Sequence, residues 1–270
     1  ATLDPEHEET RTLIQQRLKE AGPTIISAEG LVSWQPHRFE EAADLNLALW
    51  GEDATIVLTL RDPVDFMTSL YADTFRGGTY RPPQDFFLDR KRFDRVRPFC
   101  SPWIEDFFSV DDFDLERLVA LYQARFRNVV ALPYDTLFEM HGLARLFGLD
   151  EPQRQALETS IASQPRFNQR ASLRAMKAHS AYAKLPRQYG KNAALADGQS
   201  WRIALMGGPP ARQRKPVLDQ AKLLRHAIKL IDKLAPSAPF QLPDDVYFNP
   251  ELTRKNRAFL DRLIDQERDA

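Results

Sequence analysis

The stretch TIVLTLRDPVDFMTSLYADTFRGG, residues 55–78, constrains the fold more than any other part of the chain. Its first six residues are apolar or β-branched, which predicts a buried strand of a parallel sheet. Asp62 is a good helix N-cap and Pro63 suits the first helical position, so we expect a helix directly after Arg61. The stretch therefore predicts a strand, a sharp turn and a helix. Arg61 is placed at the carboxyl end of the strand, where open α/β sheets bind ligands.

Arg61 and Ser69 are the candidate binding residues of this stretch. A guanidinium beside a helix N-terminus can hold a phosphate through two parallel hydrogen bonds. Ser69 is expected roughly two turns along the helix and can add a hydroxyl donor. The alternative is that Arg61 pairs with Asp62 or Asp65 and that Ser69 is only helix surface.

Three segments together resemble one enzyme family. Arg-Asp-Pro-x5-Ser after an apolar strand resembles the 3′-phosphate-binding motif of sulfotransferases that use 3′-phosphoadenosine-5′-phosphosulfate (PAPS). Residues 24–31, TIISAEGL, resemble the strand before that motif, and residues 128–137, NVVALPYDTL, resemble a later strand that ends in Tyr-Glu-Asp-Leu or a variant of it. Their order and approximate spacing match, so the chain resembles a bacterial-type sulfotransferase over roughly residues 23–149.

The resemblance implies a single α/β domain over residues 1–270. Its parallel sheet would be of the P-loop nucleotide-kinase-like type, with helices on both faces and a helical C-terminal third. The implied activity is transfer of a sulfuryl group from PAPS to an acceptor hydroxyl or amine, and a saccharide or glycolipid is among the acceptors considered. Arg61 and Ser69 would bind the 3′-phosphate, and no metal is required.

One signature of the family is missing from the sequence. A Lys-x-Gly-Thr-like loop that binds the 5′-phosphosulfate is expected before residue 23, and nothing like it is present there. We therefore expect a strand and such a loop upstream of Ala1. Two alternatives remain: a non-catalytic relative that binds a nucleotide or a partner, and a kinase-like phosphotransferase. The second would need a Walker-type lysine and a magnesium-binding carboxylate, and neither has a visible motif.

Glu29 is the candidate catalytic residue. It is expected at the carboxyl end of a strand over residues 24–27, at the same edge of the sheet as Arg61. In cytosolic relatives the matching strand ends in Thr-His, and that histidine is the general base. By this resemblance, Glu29 would take the proton from the acceptor. The alternative is a structural role, in which Glu29 caps a helix or pairs with an arginine.

Two other polar segments are candidates for contact with a substrate. The loop after Glu29 carries side chains that can contact an acceptor, namely Trp34, His37 and Arg38. A basic cluster lies further along the chain, at Arg90, Lys91, Arg92, Arg95 and Arg97. This cluster is interpreted as a solvated helix face paired with Asp85, Asp89 and Asp94, and the alternative is that it faces an anionic substrate.

Periodic apolar positions predict the remaining elements. Helices are expected over residues 5–21, 38–50, 114–126, 136–148, 151–163, 211–234 and 250–266, and a strand over 128–134. Residues 80–108 are rich in Phe, Arg and Asp and contain prolines, which favours short helices and loops.

Composition narrows the class of protein. A chain of 270 residues is long enough for one sizeable α/β domain. Its formal net charge of -1 gives no general argument for a nucleic-acid partner or an anionic membrane. The single cysteine, Cys100, excludes an internal disulfide and favours a cytoplasmic location. No apolar run approaches the length of a membrane span. The oligomeric state stays open.

Replacing Glu29 with Gln should affect turnover rather than cofactor binding. Glutamine keeps the shape of the side chain but removes its basicity, so loss of a general base should lower kcat by about 10²–10⁴-fold. Affinity for adenosine 3′,5′-bisphosphate, the expected product, should stay within a few-fold by calorimetry. Near-normal kcat would assign Glu29 a structural role, and His37 would become the next base to test.

Overall fold

The computed structural model describes residues 31–33, 35–76, 82–97, 107–137, 141–163, 172–174, 176–177 and 238–268, with single positions at 12, 16, 20, 25, 26 and 230. Within these residues the chain is mixed α/β, with small parallel sheets. The helices are α1 (Phe39–Trp50), α2 (Pro63–Arg76), α3 (Pro83–Phe86), α4 (Arg90–Val96), α5 (Leu115–Gln123), α6 (His141–Phe147), α7 (Glu151–Ser163) and α8 (Pro250–Arg268). The strands are β1 (Thr55–Leu60), β2 (Phe87–Leu88), β3 (Phe108–Ser109) and β4 (Asn128–Pro133), and short 3-10 segments lie at Pro36–Arg38 and Val110–Asp112.

Strands β1 and β4 form a parallel pair in a single register. Thr55 lies opposite Asn128 at one end, and Leu60 lies opposite Pro133 at the other. The pairing continues one step further, because the backbone N–H of Tyr134 donates to the carbonyl of Leu60 at 2.6 Å. The two strands therefore end at the same edge, and the residues that follow them are neighbours.

Helix α2 begins as the sequence predicts. The Asp62 carboxylate accepts hydrogen bonds from the backbone N–H groups of Val64 at 2.9 Å and Asp65 at 3.2 Å, which satisfies two amides of the first turn. Further along, Met67 and Leu70 are buried, at 1% and 4% exposure. The helix is thus fixed at its start by a cap and along its length by burial of one apolar face.

A chain of aromatic contacts joins α2 to the β2–β3 pair. Phe66 stacks on Phe113 with ring centroids 4.8 Å apart, and Phe113 meets Phe108 edge-on at 5.3 Å. Phe87 in turn meets Phe108 edge-on at 5.5 Å. Such pairs contribute about 0.5–1.5 kcal/mol each beyond the burial of their area. They bind the small β2–β3 pair to the same core as β1.

Asn256 anchors helix α8 against the start of α5. It is 1% exposed, its Oδ1 accepts from the N–H of Leu115 at 3.0 Å, and its Nδ2 donates to the carbonyl of Phe113 at 2.7 Å. Both backbone groups are thereby satisfied inside the protein. This contact also determines where the next residue of the helix, Arg257, is placed.

The main predicted elements of the described region are confirmed, with bounds that differ by a few residues. The prediction of a strand over residues 24–27 is wrong at the two positions that the structure describes. Ile25 and Ile26 lie outside any strand and are 74% and 44% exposed. A short apolar run forms a stable strand only when its backbone pairs with a neighbour, and within the described residues β1 pairs with β4 alone. The predicted position of Glu29 depended on that strand, and Glu29 itself lies outside the described residues.

Burial of β1 also differs from the prediction. Thr55, Val57 and Thr59 are exposed, whereas Leu58 and Leu60 are buried. Because successive strand residues point to opposite faces, one face of β1 is packed and the other is exposed, so within the described residues the predicted cover of helices is not met on the second face. The two-residue strands β2 and β3 were also missed, since they are too short for periodicity to reveal.

Replacing Asn256 with Ala should destabilise the fold substantially. Two buried backbone groups would lose their partners, which should lower the free energy of unfolding by about 2–4 kcal/mol. Urea denaturation measures this change. Lys255→Ala is the matched control, because Lys255 pairs with Asp114 at the surface, and loss of such a pair costs at most about 1 kcal/mol. Equal effects of the two substitutions would contradict the anchoring role.

Candidate functional site

The candidate site lies where β1 and β4 end. Arg61 follows Leu60 and Tyr134 follows Pro133, and these last strand residues lie opposite each other. Helix α2 begins two residues after Arg61. The prediction that Arg61 lies at the carboxyl end of a parallel strand, beside a helix N-terminus, is confirmed.

The Arg61 guanidinium is stacked on an aromatic ring. Its Cζ lies 4.8 Å from the centroid of the Tyr134 ring, a distance at which the ring face attracts a cation. The Nε of Arg61 is buried and has no hydrogen-bond partner in the described part of the chain. A buried donor left without a partner costs about 1–3 kcal/mol. The site therefore holds a cation that lies against an aromatic ring and has one buried donor without a partner among the described residues.

Asp62 pairs with a different arginine from the one next to it in sequence. Its Oδ2 accepts from Nε of Arg257 at 2.6 Å, while its Oδ1 caps α2 and also lies 3.4 Å from Nη2 of Arg257. Burial raises the pKa of Asp62, but the bonds from Arg257 and from the capped amides outweigh burial and hold the pKa below its usual value. Among the described residues, Asp62 therefore pairs with Arg257 and not with Arg61, in contrast to the alternative considered from the sequence.

Ser69 lies on α2 as expected, and its side chain is half-buried. It is four residues after Asp65 and seven after Asp62, so the three share one face of the helix. A rise of about 1.5 Å per residue puts Ser69 roughly 10 Å along the axis from the cap. No contact joins Ser69 to Arg61 within the described residues, so a shared role of the two stays a prediction.

A groove between α2 and α8 borders the Asp62–Arg257 pair. It is an open groove of about 450 Å³ lined by apolar, hydroxyl and charged side chains: Val64, Phe248, Pro250, Thr253, Arg254, Arg257, Ala258 and Asp261. We call it the α2–α8 groove. Neither the groove nor the role of Arg257 was foreseen, because 195 positions separate Arg257 from Asp62.

Two of the five residues of the basic cluster around α4 form ion pairs among the described residues, and one of these pairs is with a carboxylate that the sequence interpretation named. Arg92 pairs with Asp85 at 3.3 Å, and the carboxylate of Asp89 caps α4 by accepting from the backbone N–H of Arg92. Arg90 pairs with the buried carboxylate of Asp112, a partner that the sequence did not suggest. Ser109 donates to the same carboxylate at 2.6 Å. These contacts support a structural function for this part of the cluster.

Of the predicted acceptor loop, the structure describes His37 and Arg38 but not Trp34. Arg38 forms two hydrogen bonds with Glu41, of 2.9 and 2.7 Å, at the start of α1. The His37 ring lies 4.8 Å from Phe93, and its Nδ1 is buried without a partner in the described residues. Burial, together with the positive charge of Arg97, lowers the pKa of His37 to about 4, although Asp112 opposes this shift. His37 is therefore neutral near neutral pH.

The loop that leads to His37 is held in a fixed conformation. The carbonyl of Leu31 accepts from Nδ2 of Asn46 at 2.6 Å and from the hydroxyl of Tyr122 at 3.3 Å. Ser33 adopts a positive φ of 68°, and its hydroxyl accepts from the N–H of Gln35 at 3.2 Å. A non-glycine residue in this region carries backbone strain, which is common near functional sites.

In comparisons with known proteins, no family model, no curated protein and no solved structure matches the chain. Within the described residues, none of the helices is both long and apolar enough to cross a membrane.

Acidification should destabilise the protein in part through His37. The pKa of His37 is about 6.5 in the unfolded chain and about 4 in the folded protein. The contribution of neutral His37 to the free energy of unfolding is therefore complete above pH 6.5, and it is lost as the pH falls from 6.5 through 4. His37→Phe keeps a ring against Phe93 and cannot titrate. As the pH falls from 6.5 to 4, the free energy of unfolding of the variant should rise by about 1–2 kcal/mol relative to that of wild type, a range that allows for the partial exposure of His37. Unfolding curves at several pH values measure this difference, and parallel pH profiles would contradict it.

Proposed function

We propose that this chain transfers a sulfuryl group from PAPS to an acceptor hydroxyl or amine, and that Arg61 holds the 3′-phosphate. One observation carries the proposal: among the described residues the Arg61 guanidinium has no carboxylate partner and its buried Nε has no acceptor, and it lies at the carboxyl end of a parallel strand. The Arg-Asp-Pro-x5-Ser pattern of the sequence also supports the proposal. The corresponding proposal for the fold is a sheet of the P-loop nucleotide-kinase-like type.

The first turn of α2 favours a particular way of binding the anion. Asp62 already accepts from the N–H groups of Val64 and Asp65, so these amides are not available to a phosphate. Binding then rests on side-chain donors, namely the Arg61 guanidinium and the Ser69 hydroxyl. The positive end of the α2 dipole adds a smaller favourable field. The Tyr134 ring holds the guanidinium at the sheet edge.

Residues of this chain would orient the sulfuryl donor and accept a proton from the acceptor. PAPS, when bound, supplies the sulfuryl group and a phosphate leaving group. Glu29 is proposed to accept the proton of the acceptor, on the strength of the family resemblance. Arg61 orients the donor through a part of the molecule that does not react. A saccharide or glycolipid is proposed as the acceptor class.

A nucleotide-binding relative without catalytic activity is the second candidate. It would use the same Arg61 contact and would need no loop that binds a 5′-phosphosulfate. The two candidates predict the same affinity for adenosine 3′,5′-bisphosphate. They differ in turnover, so an assay with labelled PAPS and a panel of hydroxyl and amine acceptors distinguishes them.

Replacing Arg61 with Ala should weaken binding of adenosine 3′,5′-bisphosphate at least about tenfold, because a charge-assisted contact is worth roughly 1.5–3 kcal/mol. Calorimetry measures the change. Ser69→Ala should cost less, since its hydroxyl is a neutral donor. Arg254→Ala is the matched control, because it removes an exposed arginine from the α2–α8 groove. Equal affinities of wild type and Arg61→Ala would overturn the assignment.

A further inference from the structure

The link between Arg257 and Asp62 assigns a role to α8 that the sequence does not reveal. Arg257 directs both Nε and Nη2 toward the Asp62 carboxylate, at 2.6 and 3.4 Å. The Arg257 side chain is 54% exposed and that of Asp62 is 24% exposed. At the surface such a pair adds little to stability. Its position next to Arg61 suggests a different use.

Without Arg257, the Oδ2 atom of Asp62 would lose its cationic partner. Its Oδ1 would stay engaged by the first-turn amides of α2. The preceding residue, Arg61, has a buried Nε donor without a partner among the described residues. A carboxylate and a guanidinium on adjacent residues would then be able to pair, and that pair would compete with any anion for Arg61.

We propose that Arg257 is a positioning residue that holds the Asp62 carboxylate away from Arg61, so that the Arg61 guanidinium remains available to an anionic ligand. This inference rests on the proposed function of Arg61 as a phosphate ligand. By this inference, a residue of α8, a helix far away in sequence, determines how the charges of Arg61 and Asp62 are paired. Arg257 itself need not touch the ligand, because its Nε and Nη2 atoms, which face the turn, donate to Asp62.

The anchoring of α8 makes this role separable from folding. Asn256, the preceding residue, is buried and holds the helix through Leu115 and Phe113. These contacts do not involve the Arg257 side chain. Shortening or neutralising Arg257 should therefore leave α8 in place and alter only the charge next to Asp62.

A double-mutant cycle on Arg257 and Asp62 tests the inference. Arg257→Gln removes the partner of Asp62, and Asp62→Asn keeps a good N-cap for α2 but has no charge to compete. Affinity for adenosine 3′,5′-bisphosphate should fall about three- to tenfold in Arg257→Gln, as expected for competition by a surface-type ion pair. Asp62→Asn should raise affinity several-fold more in the Arg257→Gln background than in wild type.

Arg254→Gln is the control for loss of positive charge. Arg254 lies on the same helix, one turn earlier, and lines the same groove. If Arg257 acts only through its charge at a distance, both glutamine variants should weaken binding alike, and Asp62→Asn should help both equally. That additive result would overturn the inference. A selective gain in the Arg257→Gln background supports it.

A second measurement keeps the inference testable if wild type fails to bind adenosine 3′,5′-bisphosphate, a failure that would reject the proposed function. Thermal unfolding of Arg61→Gln, Asp62→Asn and the double variant reports coupling between these residues. The coupling should be close to zero in the wild-type background and should appear in the Arg257→Gln background as a non-additive Tm shift of up to about 4 °C. No coupling in either background would overturn the inference without reference to any ligand.

Discussion

The candidate site depends first on the register of β1 against β4. Because Leu60 lies opposite Pro133, Arg61 and Tyr134 leave the sheet at the same edge, and the guanidinium lies 4.8 Å from the ring centroid. A slip of one residue would exchange the faces of every strand side chain, so the buried Leu58 and Leu60 would move to the open face. The burial of one face therefore specifies the register, and the register places the ring beneath the cation.

The distribution of charge at the start of α2 follows from this geometry and from the position of α8. Asp62 satisfies two amides of α2 and accepts from Arg257, so its charge is used by groups other than its neighbour. Within the part of the chain that the structure describes, Arg61 has an aromatic ring as its neighbour and no counter-ion. The buried Nε of Arg61, which has no partner among the described residues, carries a desolvation cost.

The polar cluster near α4 contrasts with this turn because its groups satisfy one another. Asp111 accepts from the hydroxyl of Tyr247 at 3.0 Å, from Nδ2 of Asn249 at 2.7 Å and from the backbone N–H of Arg90 at 2.7 Å. These bonds hold the segment before α8 against the 3-10 segment at Val110–Asp112. A carboxylate with this many donors has a structural role. The candidate site and this cluster therefore differ in the hydrogen-bond partners of their charged groups, and not in the density of charge.

Local sequence signals determined much of the fold in the described region. The cap at Asp62 and the apolar periodicity of α1, α2, α5 and α8 predict these helices because they act over one or two turns. The turn that places Arg61 after β1 was predictable for the same reason. The predicted strand over residues 24–27 failed at Ile25 and Ile26 because a strand needs a paired neighbour, which no local pattern supplies.

Tertiary structure alone decided which groups share the charge at that turn. The sequence identifies Arg61 as a candidate ligand and Asp62 as a cap, but it leaves their mutual pairing open. The stacking of Tyr134 under Arg61 requires the parallel register, and the bond from Arg257 to Asp62 joins residues 195 positions apart. The second of these contacts depends on how α8 is anchored through Asn256. Side-chain pairing over that separation follows from packing, so only the folded chain establishes it.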